Sequence, residues 1–146
     1  MQIFNQYKWL INELKTANLP ENRKNQPWII LLGHRPLYCT NSDGNDCTLG
    51  ADWVVNSSTP GQPYYNPKAT VHIVSGSAGC QENHDEFPQI EKDYSAFHSK
   101  DYGYSRMTVY NSTHLYFEQV SDDQKGKIID SIWLIKTHHG SFAKSN

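Results

Sequence analysis

The run Trp28-Ile-Ile-Leu-Leu32, breaking off at Gly33-His34-Arg35-Pro36, constrains this chain more than any other stretch of its sequence. Five apolar residues in a row, with no alternation, suit a strand covered on both faces. Pro36 has no amide proton for further ladder pairing and Gly33 permits a sharp turn, so such a strand ends there. His34 is thereby aimed off a carboxyl strand end, the edge at which open α/β sheets bind their ligands. Upstream, Tyr7, Leu10, Ile11 and Leu14 recur at helical spacing between Gln6 and Ala17, and Asn18 followed by Pro20 closes the pattern. This predicts an amphipathic helix of about three turns, with Glu21–Gln26 as a polar linker. Helix followed by buried strand is the grammar of an α/β fold, not of a bundle or a sandwich.

Further along, the chain changes character. From Tyr38 to Pro67 there is little periodicity and much Asn, Ser, Asp, Gly and Pro. Loops of about thirty residues are uncommon in compact domains, so this one is either functional or shortened from a longer pattern. Thr70-Val-His-Ile-Val-Ser75 reads as a second strand, closed by Gly76-Ser-Ala-Gly79. Three more strand-like segments, Tyr104–Tyr110, His114–Val120 and Lys127–Lys136, are separated by the turn sequences Asn111-Ser-Thr113 and Asp122–Gly126, which predicts an antiparallel meander. Alternation in the last of these is imperfect, so its register is the least constrained.

At 146 residues the chain suits one domain with a core of its own. Its formal charge is −2 and its Lys and Arg residues never form a run, which excludes nucleic acid as a partner. The longest apolar run falls far short of the roughly 20 residues of a bilayer span, so no membrane helix is expected. Residues Met1–Tyr7 lack the charged and apolar regions of a signal peptide. Other features suit an extracellular setting: Asn56-Ser-Ser and Asn111-Ser-Thr are glycosylation sequons, and Cys39 and Cys47 are spaced to allow a small disulfide loop. Such a bridge contributes about 2–3 kcal/mol. Cys80 has no evident partner.

Among residues able to carry chemistry, His34 is the first candidate, as a metal ligand. Arg35 is a potential fork-shaped phosphate donor, although a solvated loop arginine is the simpler reading. His72 alternates with apolar neighbours and reads as a packed or sheet-surface histidine. Glu82, His84, Asp85 and Glu86 read as a solvated acidic loop, because no second cluster stands at ligand spacing. His138 and His139 fall in a polar tail with no expected role. There is no nucleophile elbow and no phosphate-cradling loop; Gly76–Gly79 reads as a tight turn near the site.

Several motifs occur together and in order. Gln6-Tyr7-Lys8-Trp9-Leu10 opens the helix, Trp28–Leu32 leads through Gly33-His34-Arg35-Pro36-Leu37-Tyr38-Cys39, and Asn66-Pro67 precedes Val71-His-Ile-Val-Ser-Gly-Ser-Ala-Gly-Cys80. Asp101-Tyr-Gly-Tyr-Ser-Arg106, Asn111-Ser-Thr-His114 and Gln119-Val-Ser-Asp-Asp-Gln124 follow. Together they resemble the animal iron/zinc purple acid phosphatases, members of the binuclear metallophosphoesterases. The resemblance implies a sandwich of mixed sheets with flanking helices, with residues 1–136 as the C-terminal part of the catalytic domain and 137–146 as a polar tail. It implies a hydrolase of phosphate monoesters at acid pH, in which two metal ions, Fe with Zn or Mn, clamp the phosphate and activate a water. It also implies a secreted or lysosomal location. His34 matches the strand-end histidine of the family and would ligate one metal; no other catalytic residue is matched. The Asp-x-Gly, Gly-Asp-x-x-Tyr and Gly-Asn-His motifs would precede Met1, and the His-x-His element should fall between Cys47 and Tyr64. That interval holds no histidine, so a stretch of the family pattern is missing at about Leu49–Asp52. One imidazole does not hold two metals, and the isolated chain is expected to be inactive. The alternative is a non-catalytic secreted glycoprotein that binds a partner through an exposed sheet face. Unpaired strand edges also predict dimerisation.

Overall fold

The computed structural model describes residues 2–33, 63–79, 86–87 and 96–140. Helix α1 spans Gln2–Ala17, four residues longer at its start than the apolar spacing requires. It closes at Asn18, whose side-chain amide and backbone N–H both donate to the Leu14 carbonyl, at 2.8 and 3.1 Å. The polar linker expected at Glu21–Gln26 is instead mostly helical, and Pro20 does more than close the first helix. It opens a second helix, α2, Pro20–Asn25, at a first-turn position where the missing N–H costs nothing. Leu19 caps it through its carbonyl, which accepts from Asn22 and Arg23 N–H at 3.0 and 2.9 Å. The apolar stripe of α1 is half-buried at Leu10, Ile11, Leu14 and Ala17, while Phe4, Tyr7 and Trp9 are exposed. Among the described elements α1 packs only on α2.

The expected strand at Trp28–Leu32 is absent. The segment carries no ladder among the described residues, and Ile29 to Leu32 are exposed, Leu32 by 89%. An apolar run reports what its side chains prefer, but a strand also needs a neighbouring edge to pair with. Trp28 is anchored instead by its indole N–H, which donates to the Asn111 carbonyl at 2.9 Å. The strand expected at Thr70–Ser75 is likewise an extended segment without a ladder. It is held through side chains and one backbone bond beside the meander: Ser75 Oγ and Ser105 Oγ are hydrogen-bonded at 2.7 Å, and Gly103 N–H donates to the Ser77 carbonyl at 2.8 Å.

The C-terminal meander forms as expected. The strands are β1 (Tyr64–Tyr65), β2 (Gly103–Val109), β3 (His114–Ser121) and β4 (Lys127–Ile135), in spatial order β1-β4-β3-β2. β2, β3 and β4 pair antiparallel, and β1 pairs parallel with Leu134–Ile135, so the sheet is mixed and the fold is α/β. A register shift opposite Gln119/Val120 supplies the physical reason for the imperfect alternation of β4. One face gathers aromatic rings about Trp133, with Tyr116, Tyr110 and His114 at 4.8, 5.2 and 6.2 Å between centroids. On the other face Leu115 lies between Val109 and Leu134. Leu115 and Val120 are the buried apolar side chains among the described residues, which is a small core.

Candidate functional site

Three polar constellations are built on this sheet. The first joins the start of β2 to the β3–β4 turn. Asp101 Oδ2 accepts from Ser121 Oγ at 2.6 Å and from Gln124 Nε2 at 2.7 Å, and Ser121 is fully buried. These donors, Ser121 first and then Gln124, hold the Asp101 carboxyl below the usual carboxylate range. Tyr102 N–H donates to Asp123 Oδ2 at 2.8 Å, and Asp122 N–H to the Tyr102 carbonyl at 2.8 Å. Between them Gly103 lies so close to β3 that a Cβ would stand 1.9 Å from the Val120 carbonyl oxygen. The Asp101-Tyr-Gly-Tyr motif is thus an architectural lock, in which the carboxylate ties strand to turn and the glycine permits the approach.

The second constellation is a polar row on β2 and β3. Ser105 Oγ contacts Gln119 Oε1 at 2.5 Å, and Gln119 Nε2 donates to Ser77 Oγ at 3.2 Å. This row fixes Ser75–Gly79 beside the sheet, and Gly79 takes a positive φ of 118° that favours glycine. The Gly76–Gly79 stretch, expected as a tight turn, shows a bend at Ala78 and is seated on named partners.

The third constellation escaped the sequence reading. Beyond the end of β4, Lys136 N–H donates to the Thr113 carbonyl at 2.8 Å, and Thr137 N–H donates to Asn66 Oδ1 at 2.7 Å. Asn66 itself adopts φ 45° and donates its own N–H to Ile135. These bonds hold residues 137–140 of the polar tail against the sheet end, and His139 packs edge-on to Trp28 at 5.8 Å between centroids. The Lys136 ammonium stands 5.8 Å from the Trp28 ring centroid. Arg23 on α2 is 5% exposed, and its Nε and Nη1 meet no hydrogen-bond acceptor. Burial, then Lys136, then Arg23 lower the pKa of His139 below that of a free imidazole. Its ring nitrogens face the backbone of Ser112 and Pro27 without reaching hydrogen-bond geometry, so the opposing upward pull is weak. Burial and then Arg23 also lower the Lys136 pKa. Arg23 carried no visible signal in sequence: its position in a polar stretch reads as solvated, and burial comes from what folds over it.

The remaining sequence candidates divide. His34, Arg35, Cys39, Cys47, Asn56, Cys80, Glu82, His84, Asp85 and the gap at Leu49–Asp52 lie outside the described residues. Glu86 is exposed and pairs with Lys100. His72 is exposed, yet partial burial of its ring lowers its pKa. Asn111 stands exposed at the β2–β3 turn, and its Oδ1 accepts from Thr113 N–H at 2.8 Å and Thr113 Oγ at 2.9 Å. Among the described residues no three His, Cys, Asp or Glu side chains come together to hold a metal ion. A binuclear centre therefore does not fit the described residues by themselves. No described helix is long and apolar enough to cross a membrane.

Comparison with known proteins supplies the context. A family model described as iron/zinc purple acid phosphatase-like protein C matches residues 69–131, the stretch from the segment beside β2 through most of β4. Acid phosphatase type 7 of Danio rerio is 43% identical over 94% of this chain and 41% of its own length. Its Homo sapiens counterpart is 37% identical over 92% of this chain and 40% of its own length. An acid phosphatase of Aspergillus ficuum is 27% identical over 93% of the chain. The chain thus spans about two fifths of the animal relatives it matches. The match to the Danio rerio protein extends over 182 residues, more than the 146 of this whole chain, so that relative has positions inside the matched region with no counterpart here. No solved structure matches the chain. With the family's C-terminal region laid over the clasped segment and the meander, and with animal acid phosphatases similar along nearly all of its length, the chain belongs to the purple acid phosphatase family.

Proposed function

We propose that this chain is the C-terminal part of an acid phosphatase that hydrolyses phosphate monoesters at a binuclear metal centre, to which it contributes His34. The observation that carries this reading is that the family match at residues 69–131 takes in the described Ser75–Gly79 segment and the β2–β3 pair to which it is clasped. Relatives named acid phosphatase support the reaction class, and the family implies a binuclear centre. Iron with zinc or manganese is our assignment of the metals. His34 is the ligand that the sequence motif provides, and its partners would have to come from outside the described residues. When bound, the metals would supply an activated water and charge neutralisation at phosphate.

The chain on its own stops short of turnover, because one imidazole does not hold two cations. The test is hydrolysis of an aryl phosphate at about pH 5 by the purified chain supplied with Fe and Zn, beside its His34→Ala variant. The prediction is no difference between the two. Robust turnover abolished in His34→Ala would overturn the claim of incompleteness.

A second reading, a secreted glycoprotein that binds a partner through its sheet, is favoured by Asn111. Its exposed side chain at a hairpin tip, with the sequon hydroxyl bonded to Oδ1, is accessible to a glycosyl transferase. Glycosylation at Asn56 and Asn111, the Cys39–Cys47 bridge, a secreted or lysosomal location and dimerisation through free strand edges all belong to this proposal. The two readings are compatible, since a secreted phosphatase is also a glycoprotein.

A further inference from the structure

We propose that the exposed face formed by Tyr110, Tyr116 and Trp133 is a stacking platform for the first N-acetylglucosamine of the glycan carried by Asn111. The proposal rests on glycosylation of Asn111, as in the second reading of function, and adds where that sugar lies. Attachment joins the sugar's anomeric carbon to Asn111 Nδ2 and breaks that carbon's bond to the diphosphate of a lipid-linked oligosaccharide, with one amide proton released.

The hairpin tip places the acceptor atom beside the rings. Tyr110 and His114 close the β2–β3 ladder, with Tyr110 N–H donating to the His114 carbonyl at 3.0 Å. Asn111 follows Tyr110 directly. Its Oδ1 accepts from Thr113 N–H, Thr113 Oγ and His114 N–H at 2.8, 2.9 and 2.9 Å. Three donors on one oxygen fix the side-chain amide, while Nδ2 makes no hydrogen bond among the described residues. The nitrogen that takes the sugar is therefore held one residue from the Tyr110 ring, and the Thr113 hydroxyl is shared with His114 Nδ1 at 2.8 Å, inside the same cluster.

The platform has the chemistry a sugar face needs. Tyr110 and Tyr116 stand 5.2 and 4.8 Å from Trp133 between centroids, tilted by 38° and 43°. Although they belong to a cluster, Tyr110 is 60% exposed and Trp133 37%. Aromatic faces are electron-rich, and the C–H bonds on one face of N-acetylglucosamine, polarised by the ring and hydroxyl oxygens, turn positive hydrogens toward them while the hydroxyls stay in water. An open sheet face holds a free saccharide weakly. A tether changes this, because attachment makes stacking intramolecular, at an effective concentration of about millimolar or above. That selects the chain's own glycan as occupant over a saccharide from solution. Stacking also covers apolar surface at the end of the ladder, so it stabilises the folded hairpin.

The test uses the whole chain as Asn56→Gln, secreted from animal cells behind a cleavable leader and trimmed enzymatically to one N-acetylglucosamine on Asn111; bacterial expression supplies the unglycosylated match. Proton NMR is expected to show the sugar protons upfield of their positions in the same chain unfolded in urea, with Overhauser contacts to the Tyr110 and Trp133 rings. The glycosylated chain is expected to melt about 3 °C above the unglycosylated one, the scale of one added aromatic contact. Tyr110→Phe should keep that increment and Tyr110→Ser should abolish it, each compared with and without the sugar. If Tyr110→Ser does not fold, the Overhauser contacts in the parent chain decide. A mass showing no sugar on Asn111 refutes the glycosylation reading and the platform with it. A sugar that is present but unshifted, that contacts only Trp28, or whose increment survives Tyr110→Ser overturns the platform and leaves glycosylation standing.

Discussion

Replacing Gly103 by alanine tests the architectural lock at a single atom. The added methyl would stand 1.9 Å from the Val120 carbonyl oxygen, 3.0 Å from its carbon and 3.2 Å from the Ser121 Cα, all of them backbone. No side-chain rotation relieves such a contact; β2 has to separate from β3. Separation strains the pairing of Gly103 with Ser121 and of Tyr104 with Val120, and pulls on the 2.8 Å bonds from Gly103 to Ser77 and from Asp122 to Tyr102. Overpacking alone costs about 1–3 kcal/mol. Two weakened backbone bonds add about 1 kcal/mol each, for a total of about 3–5 kcal/mol. With a urea slope of about 2 kcal/mol per molar, the unfolding midpoint should fall by roughly 2 M. Gly126→Ala is the matched control, because Gly126 has φ 81° but nothing within 4 Å of the added Cβ. It should cost about 1 kcal/mol of backbone strain and move the midpoint by about 0.5 M. Urea titration followed by far-ultraviolet circular dichroism measures both. A Gly103→Ala midpoint no lower than that of Gly126→Ala would refute the close approach and the role assigned to the motif.

Three further outcomes are expected. The folded pKa of Asp101 lies below its unfolded value, so its contribution is complete above the ordinary carboxylate pKa and is lost as pH falls through the folded value; Asp101→Asn should lose stability less steeply than the parent between about pH 4.5 and 2.5, measured by urea midpoints. His139 has a folded pKa below that of free imidazole, so the unfolded chain takes up the proton first and stability declines as pH falls below about 6.5. His139→Gln should flatten that decline between about pH 7.5 and 5, and an unchanged slope would contradict the buried setting of the ring. Asn111→Gln should remove one glycan from chain secreted by animal cells, read as one step in mass or gel mobility; an unchanged mass would contradict occupancy of that sequon.

The meander was legible because its information is local: the turn sequences at Asn111-Ser-Thr113 and Asp122–Gly126 bracket the segments, and pairing follows from adjacency. Helix α1 was legible from its apolar spacing for the same reason. The features misread depend on partners distant in sequence. Trp28–Leu32 has the composition of a buried strand but no described edge beside it, and Thr70–Ser75 is held by serine side chains in place of a ladder. Pro20 reads locally as a stop, although the same residue is favoured at the start of a following helix. The need for glycine at 103 lies in a carbonyl on another strand, and the burial of Arg23 in residues that fold over it; neither leaves a local trace. Family membership was legible in the ordered motifs, because it requires no coordinates.

We infer that residues 69–131 belong to the C-terminal part of a working phosphatase. It is tested most directly by exchanging those residues into Danio rerio acid phosphatase type 7, in place of the matching segment, and measuring kcat/KM for an aryl phosphate at about pH 5. The expected value lies within about tenfold of the parent enzyme, equivalent to about 1.4 kcal/mol of lost transition-state stabilisation. A soluble, cooperatively folded chimera whose activity falls by more than about a hundredfold would contradict it.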